Sequence, residues 1–191
     1  MGKKRIFLAC QISEEAKAEI FHVCQDLKDL KFALKFTPKE KLHLTLAFLP
    51  RVEPGELVQI SDITKNVCPG FLKFSLILSG LGAFPNLKLP KIVYVSLTGE
   101  TVTLSNLARK IQHQLEILGF TFDHQRFTPH ITVARIKSFV NGAERKKLGE
   151  TIQRWGKITP CEIVVDAVSI FESRPTSAGH VHTLLEKLNL G

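Results

Sequence analysis

Leu42-His43-Leu44-Thr45-Leu46-Ala47 is repeated, with the same polar residues at the same offsets, as Pro129-His130-Ile131-Thr132-Val133-Ala134. A Phe-Thr-Pro precedes each copy, at 36–38 and 127–129, with four extra residues before the first histidine. Each copy alternates apolar and polar residues with period two, which predicts a strand, Lys41 to Phe48 in one case and His130 to Ile136 in the other. Side chains at i and i+2 share a face, so His43 with Thr45, and His130 with Thr132, form two polar edges. The histidines are separated by nearly half of the 191 residues. That spacing predicts two related lobes with one His-x-Thr strand each, because solenoid repeats are shorter and more numerous.

The rest of the chain reads outward from these strands as a mixture of elements. Arg5 to Ile12 reads as a strand, and Ser13 caps a helix with Glu14 and Glu15 in its first turn. Glu53-Pro54-Gly55 opens a second helix to about Val67; Phe71 to Leu81 and Lys91 to Leu97 are strands; Thr101 to Leu118 is a helix stopped by Gly119. Asn141 caps a helix to Trp155; Glu162 to Phe171 reads as one long strand, Ser173 to Gly179 as a loop, and Val181 to Leu188 as a last strand. Strands and helices do not alternate regularly and no low-complexity linker separates them, so an α+β fold with antiparallel sheets is expected. The expected unit is one bilobal domain over 1–191, with its motifs at 43–46 and 130–133.

Composition narrows the function classes. With 44% apolar residues and 23% charged ones the chain is neither disordered nor collagen-like. Its longest apolar runs fall far short of the roughly 20 residues that cross a bilayer. The basic start is followed by only the short apolar run Ile6 to Cys10, too short for a signal peptide, and a cytoplasmic location is expected. Cys10, Cys24, Cys68 and Cys161 are widely spaced without a Cys-x-x-Cys pair, which argues for reduced thiols and against a structural zinc site. The net charge of +8 favours polyanionic partners.

Two imidazoles facing one cleft suit an in-line displacement at phosphorus, one taking a proton from the attacking oxygen and the other giving one to the leaving oxygen. Their unperturbed pKa of about 6.5 serves both tasks near neutrality. The threonine hydroxyls can donate to the non-bridging phosphate oxygens as charge develops there. This chemistry needs no metal, and neither motif carries an Asp or Glu beside its histidine. No Gly-rich phosphate loop or nucleotide-activating lysine motif is present, so no cofactor is expected. A lone His-x-Thr in a strand is usually structural; two matched copies are what point to catalysis. His22, His113, His124, His180 and His182 have no such pairing.

The two motifs, together with Arg5-Ile6-Phe7-Leu8-Ala9, Gly80-Leu81-Gly82-Ala83-Phe84-Pro85 and the run Phe127 to Arg135, resemble the two-histidine phosphoesterase superfamily in its LigT-like branch of RNA 2′,3′-cyclic phosphodiesterases, also called 2′-5′ RNA ligases. The resemblance covers essentially the whole chain. It implies two pseudo-twofold-related lobes, each an antiparallel sheet with flanking helices, around a central cleft. By the same resemblance His43 is the general acid, His130 the general base, and Thr45, Thr132 and Arg135 hold the phosphate. Arg135 has the wrong parity for the His130 face, and reaching it requires a twist or bulge at the strand end.

The family often reads Arg-Pro-Phe before its second motif, whereas here Gln125-Arg126-Phe127 shifts the arginine, leaving Arg126 as either a substrate contact or a surface charge. Phe48 could stack on a base, although its alternation with His43 puts it on the core face. A monomer is expected, and the resemblance implies that it converts RNA 2′,3′-cyclic phosphate ends to 2′-phosphates, with reversible 2′-5′ ligation when an RNA 5′-hydroxyl replaces water. The alternatives are a phosphodiesterase for small cyclic nucleotides or 2′-5′ oligonucleotides, and a non-catalytic RNA-binding protein.

Overall fold

The computed structural model describes residues 2–121, 127–155, 158–177 and 179–191. Along them run β1 (Lys4–Gln11), α1 (Glu14–Asp29), β2 (Leu34–Phe36), β3 (His43–Val52), α2 (Leu57–Val67), β4 (Phe74–Phe84), β5 (Ile92–Gly99), α3 (Thr101–Ile117), β6 (His130–Ile136), α4 (Gly142–Arg154), β7 (Glu162–Val165), β8 (Ala167–Thr176) and β9 (Gly179–Asn189). The helix starts follow from their caps. The Ser13 hydroxyl accepts the Ala16 N–H at 3.2 Å, and Asn141 and Glu144 form a reciprocal capping box at the start of α4.

The strands form two antiparallel sheets, ordered β3-β1-β8-β9 and β2-β6-β5-β4-β7. The expected α+β class with antiparallel sheets is what is found. The sheets are not built from contiguous halves of the chain. β2, before the first motif, pairs with β6 of the second, and β8, near the C-terminus, pairs with β1. Helices cross over too: α3 packs on β3, and the Gln112 side chain donates to the Leu46 carbonyl at 2.6 Å.

Both motif strands carry an extra residue shortly after the histidine, and β3 has a second irregularity between Leu49 and Val52. Leu8 faces Ala47 while the next residue, Ala9, faces Thr45, so Leu46 is the bulged residue of β3. Val93 faces Ala134 while Tyr94 faces Thr132, which makes Val133 the corresponding bulge of β6. Each bulge puts two successive side chains in the core, Leu46 with Ala47 and Val133 with Ala134. Beyond it the alternation is inverted. The fifth residue after each histidine, Phe48 in β3 and Arg135 in β6, therefore returns to the histidine's own face.

Two expectations are corrected. Glu162 to Phe171 is not one strand: Asp166 separates β7, which joins β4 in one sheet, from β8, which joins β1 in the other. Ser173 to Gly179 is not a loop, since β8 continues to Thr176 and pairs with β9 up to Thr176↔Gly179. β1 accompanies β8 only over Ser169 to Glu172, so the outer part is a two-stranded ribbon whose free edge tolerates Pro175.

Candidate active site

Both motifs open onto one cleft of about 670 Å³. His43, Thr45, His130 and Thr132 all line it, and β3 and β6 pack against each other across the two sheets. The polar edges expected from the repeat are therefore brought together.

Each imidazole is oriented in the same way. The Nδ1–H of His43 donates to the Lys41 carbonyl at 2.7 Å, and that of His130 to the Thr128 carbonyl at 2.7 Å. A carbonyl only accepts, so in the neutral ring the hydrogen resides on Nδ1 and Nε2 keeps its lone pair. Aromatic rings hold both imidazoles in place. Phe7 stacks on His43 at 4.9 Å, and His182 meets it edge-on at 5.8 Å. Around His130, Phe84 and Tyr94 lie at 4.9 Å and 5.5 Å. Tyr94 occupies the space over Gly82, where a Cβ would collide with the ring. Glycine there is a packing requirement of the wall behind His130.

Burial lowers the pKa of His43 to about 4; the Lys41 carbonyl opposes the shift, while positive charge on His182 and on His130 adds to it. Burial also lowers the pKa of His130, against the Thr128 carbonyl and aided by Arg135. The consequence for stability has a definite sign. Between the ordinary value of 6.5 and about 4 the unfolded chain binds a proton at His43 that the folded chain does not. Stability is complete above 6.5 and is lost as the pH falls toward 4. Denaturant unfolding at stepped pH is expected to show a loss for the wild type, over pH 7 to 4, that exceeds the loss for His43→Gln by about 3 kcal/mol. Equal losses for the two proteins would contradict it.

Arg135 lines the cleft, carried there by the Val133 bulge. Phe48 is corrected: it lines the cleft instead of the core, because period-two counting fails at Leu46. The Arg5 guanidinium covers the Phe48 ring at 5.2 Å. Arg126 lies outside the described residues. The reading from sequence missed Lys35, directly opposite Arg135 on the neighbouring strand. Two like charges so placed repel, and an anion between them relieves the repulsion. Lys41, His180 and His182 also line the cleft. The last two form a His-x-His alternation at i and i+2, which reading from sequence passes over because it lacks the threonine of the paired motifs. Among the described lining residues there is no carboxylate. Among the described residues no group of three or more His, Cys, Asp or Glu side chains is arranged to hold a metal. No helix there is long and apolar enough to cross a membrane.

The sequence matches the family of LigT like phosphoesterases over residues 11–94 and 96–182. It is 30% identical over 188 residues to the RNA 2′,3′-cyclic phosphodiesterase of Methanothermobacter thermautotrophicus, covering 98% of this chain and 100% of that one. A protein of the same name from Thermotoga maritima is 30% identical over 184 residues, covering 95% and 92%. Among solved structures, TT0787 of Thermus thermophilus superimposes with a TM-score of 0.79 at 26% identity, over 97% of each chain. Both motif strands fall inside the matched residues, and the chain belongs to the LigT-like phosphoesterase family.

Proposed function

We propose that the chain hydrolyses RNA 2′,3′-cyclic phosphate ends to 2′-phosphates, with His43 as general acid and His130 as general base. The carrying observation is the pair of imidazoles on one cleft, each with Nδ1 tied to a backbone carbonyl and Nε2 left for proton transfer. Two relatives named for this reaction over nearly the full length support the substrate class.

In this reading His130 Nε2 takes a proton from water as its oxygen forms the new bond to phosphorus. The P–O3′ bond breaks on the opposite side, and His43 Nε2–H delivers its proton to O3′. Thr45 and Thr132 donate to the non-bridging oxygens, and Arg135, with Lys35 beside it, balances the charge that accumulates there. The phosphate anion itself raises the proton affinity of His43 in the complex, so the acid is loaded by its substrate. Phe48 offers a face for the terminal base. A 5′-hydroxyl in place of water would give a 2′-5′ linkage through the same steps. Residues 1–191 act as one bilobal unit; since one chain supplies both motifs, the enzyme works as a monomer, and we place it in the cytoplasm.

The test is incubation of the purified protein with an oligoribonucleotide ending in a 2′,3′-cyclic phosphate, in EDTA, with the product isomer identified. The expected product is the 2′-phosphate. A 3′-phosphate would reverse the assigned geometry. Turnover of 2′,3′-cyclic mononucleotides alone would favour a small-molecule substrate, and RNA binding without any product would favour the non-catalytic reading.

A further inference from the structure

We propose that His180, His182 and Lys41 form a subsite for the phosphodiester on the 5′ side of the nucleotide that carries the cyclic phosphate. The inference rests on the assignment of His43 as the acid and extends it to the part of the RNA that does not react.

The first support is placement. Past Ser173, β8 has no partner but β9 among the described strands, and the resulting ribbon reaches over the His43 end of the cleft. His180 and His182, two residues apart on β9, both line that cleft. In register, His182 faces Ser173 and His180 faces Pro175. The Ser173 hydroxyl lies 3.5 Å from His180 Nδ1. The His182 ring stands edge-on to Phe7 at 4.8 Å and one ring beyond His43 at 5.8 Å. Lys41 lies two residues before His43, and its side chain joins the same wall.

The second support is charge. Burial, and after it positive charge on Lys41 and on His180, lowers the pKa of His182, and no described carboxylate lines the cleft beside these groups. Lys41 brings a positive charge and the two imidazoles bring ring nitrogens that can donate, so an anion placed among them gains on both counts. At the His130 end the charges are Arg135 and Lys35, which serve the reacting phosphate, and the ring wall is Phe84 and Tyr94.

The third support is the connectivity of the substrate. The oxygen protonated by His43 is O3′, and O3′ remains on the ribose that carries the rest of the RNA. Only the C3′–C4′–C5′–O5′ link separates it from the next phosphorus. The RNA chain must therefore leave the cleft on the His43 side, where the ribbon histidines and Lys41 lie. Water, or an incoming 5′-hydroxyl, takes the His130 side. Such a subsite makes an RNA end a better substrate than a 2′,3′-cyclic mononucleotide, which has no 5′ phosphodiester.

The experiment compares kcat/KM for adenylyl-adenosine 2′,3′-cyclic phosphate with that for adenosine 2′,3′-cyclic phosphate. The wild type is measured beside His180→Gln, His182→Gln, Lys41→Gln and His182→Phe, the last of which keeps a ring against Phe7. The wild-type ratio is expected to exceed about 10, and each variant to lower it about five- to tenfold through KM for the dinucleotide. A ratio unchanged by the variants, with both substrates turned over, overturns the subsite while leaving the hydrolase reading intact. A ratio lost in His182→Gln but kept in His182→Phe also overturns it, since packing alone would then be at work. No wild-type turnover of either substrate overturns the hydrolase reading and the subsite with it.

Discussion

Replacement of His43 or His130 by alanine is expected to lower kcat/KM for an RNA 2′,3′-cyclic phosphate by about 10³- to 10⁴-fold each. The double variant should be little worse than either single one, because the two proton transfers serve one displacement and act as a unit. Both rings rest on backbone carbonyls and aromatic walls, so the loss should come without unfolding, which circular dichroism of each variant checks. The pH profiles should carry the same mark. Both histidines have lowered pKa values in the empty site, and bound phosphate raises them. The optimum of kcat is therefore expected at a higher pH than that of kcat/KM. Retention of more than about a tenth of the activity in either alanine variant would remove that histidine from the chemistry.

The second large effect is expected at Arg135. Arg135→Ala should reduce kcat by about 10²-fold, since its charge is used most when the five-coordinate phosphorus carries most negative charge. Arg135→Lys should recover only part of this, because an ammonium cannot reproduce the paired donors of a guanidinium. Phe48, at the same offset in the other motif, should behave differently. Phe48→Ala is expected to raise KM by about tenfold with little change in kcat, as loss of a stacking face predicts. Steady-state kinetics on one oligonucleotide separates the two. If both variants changed KM alone, Arg135 would be a ground-state contact.

The contrast between these two residues shows what the sequence could convey. The two motif strands, the histidine and threonine faces and the caps at Ser13 and Asn141 follow from local chemistry and were legible, whereas the short β2 (Leu34–Phe36) was not. The bulges at Leu46 and Val133 were not, because a bulge is a property of two paired strands and leaves no mark in the spacing of one. Counting by twos consequently sent Phe48 to the core, and Arg135 reached the site only through a resemblance. The ribbon was hidden for a similar reason. Ser173 to Gly179 reads as a loop, yet a ribbon edge free of β1 accepts a proline, and only this longer β8 brings the strand that carries His180 and His182 to the cleft. Asp166 marks a passage between sheets, which is a matter of topology that one strand's pattern does not carry.

The exchange of strands between the sheets bears on how the molecule comes apart. With β2 seated beside β6 and the β8–β9 pair seated beside β1, cutting the chain between the motifs would leave each sheet missing a member. Neither sheet is complete within one half of the chain, so loosening one is expected to draw structure out of the other. Melting is accordingly expected in a single calorimetric transition, with the two imidazoles parting only as the whole protein unfolds.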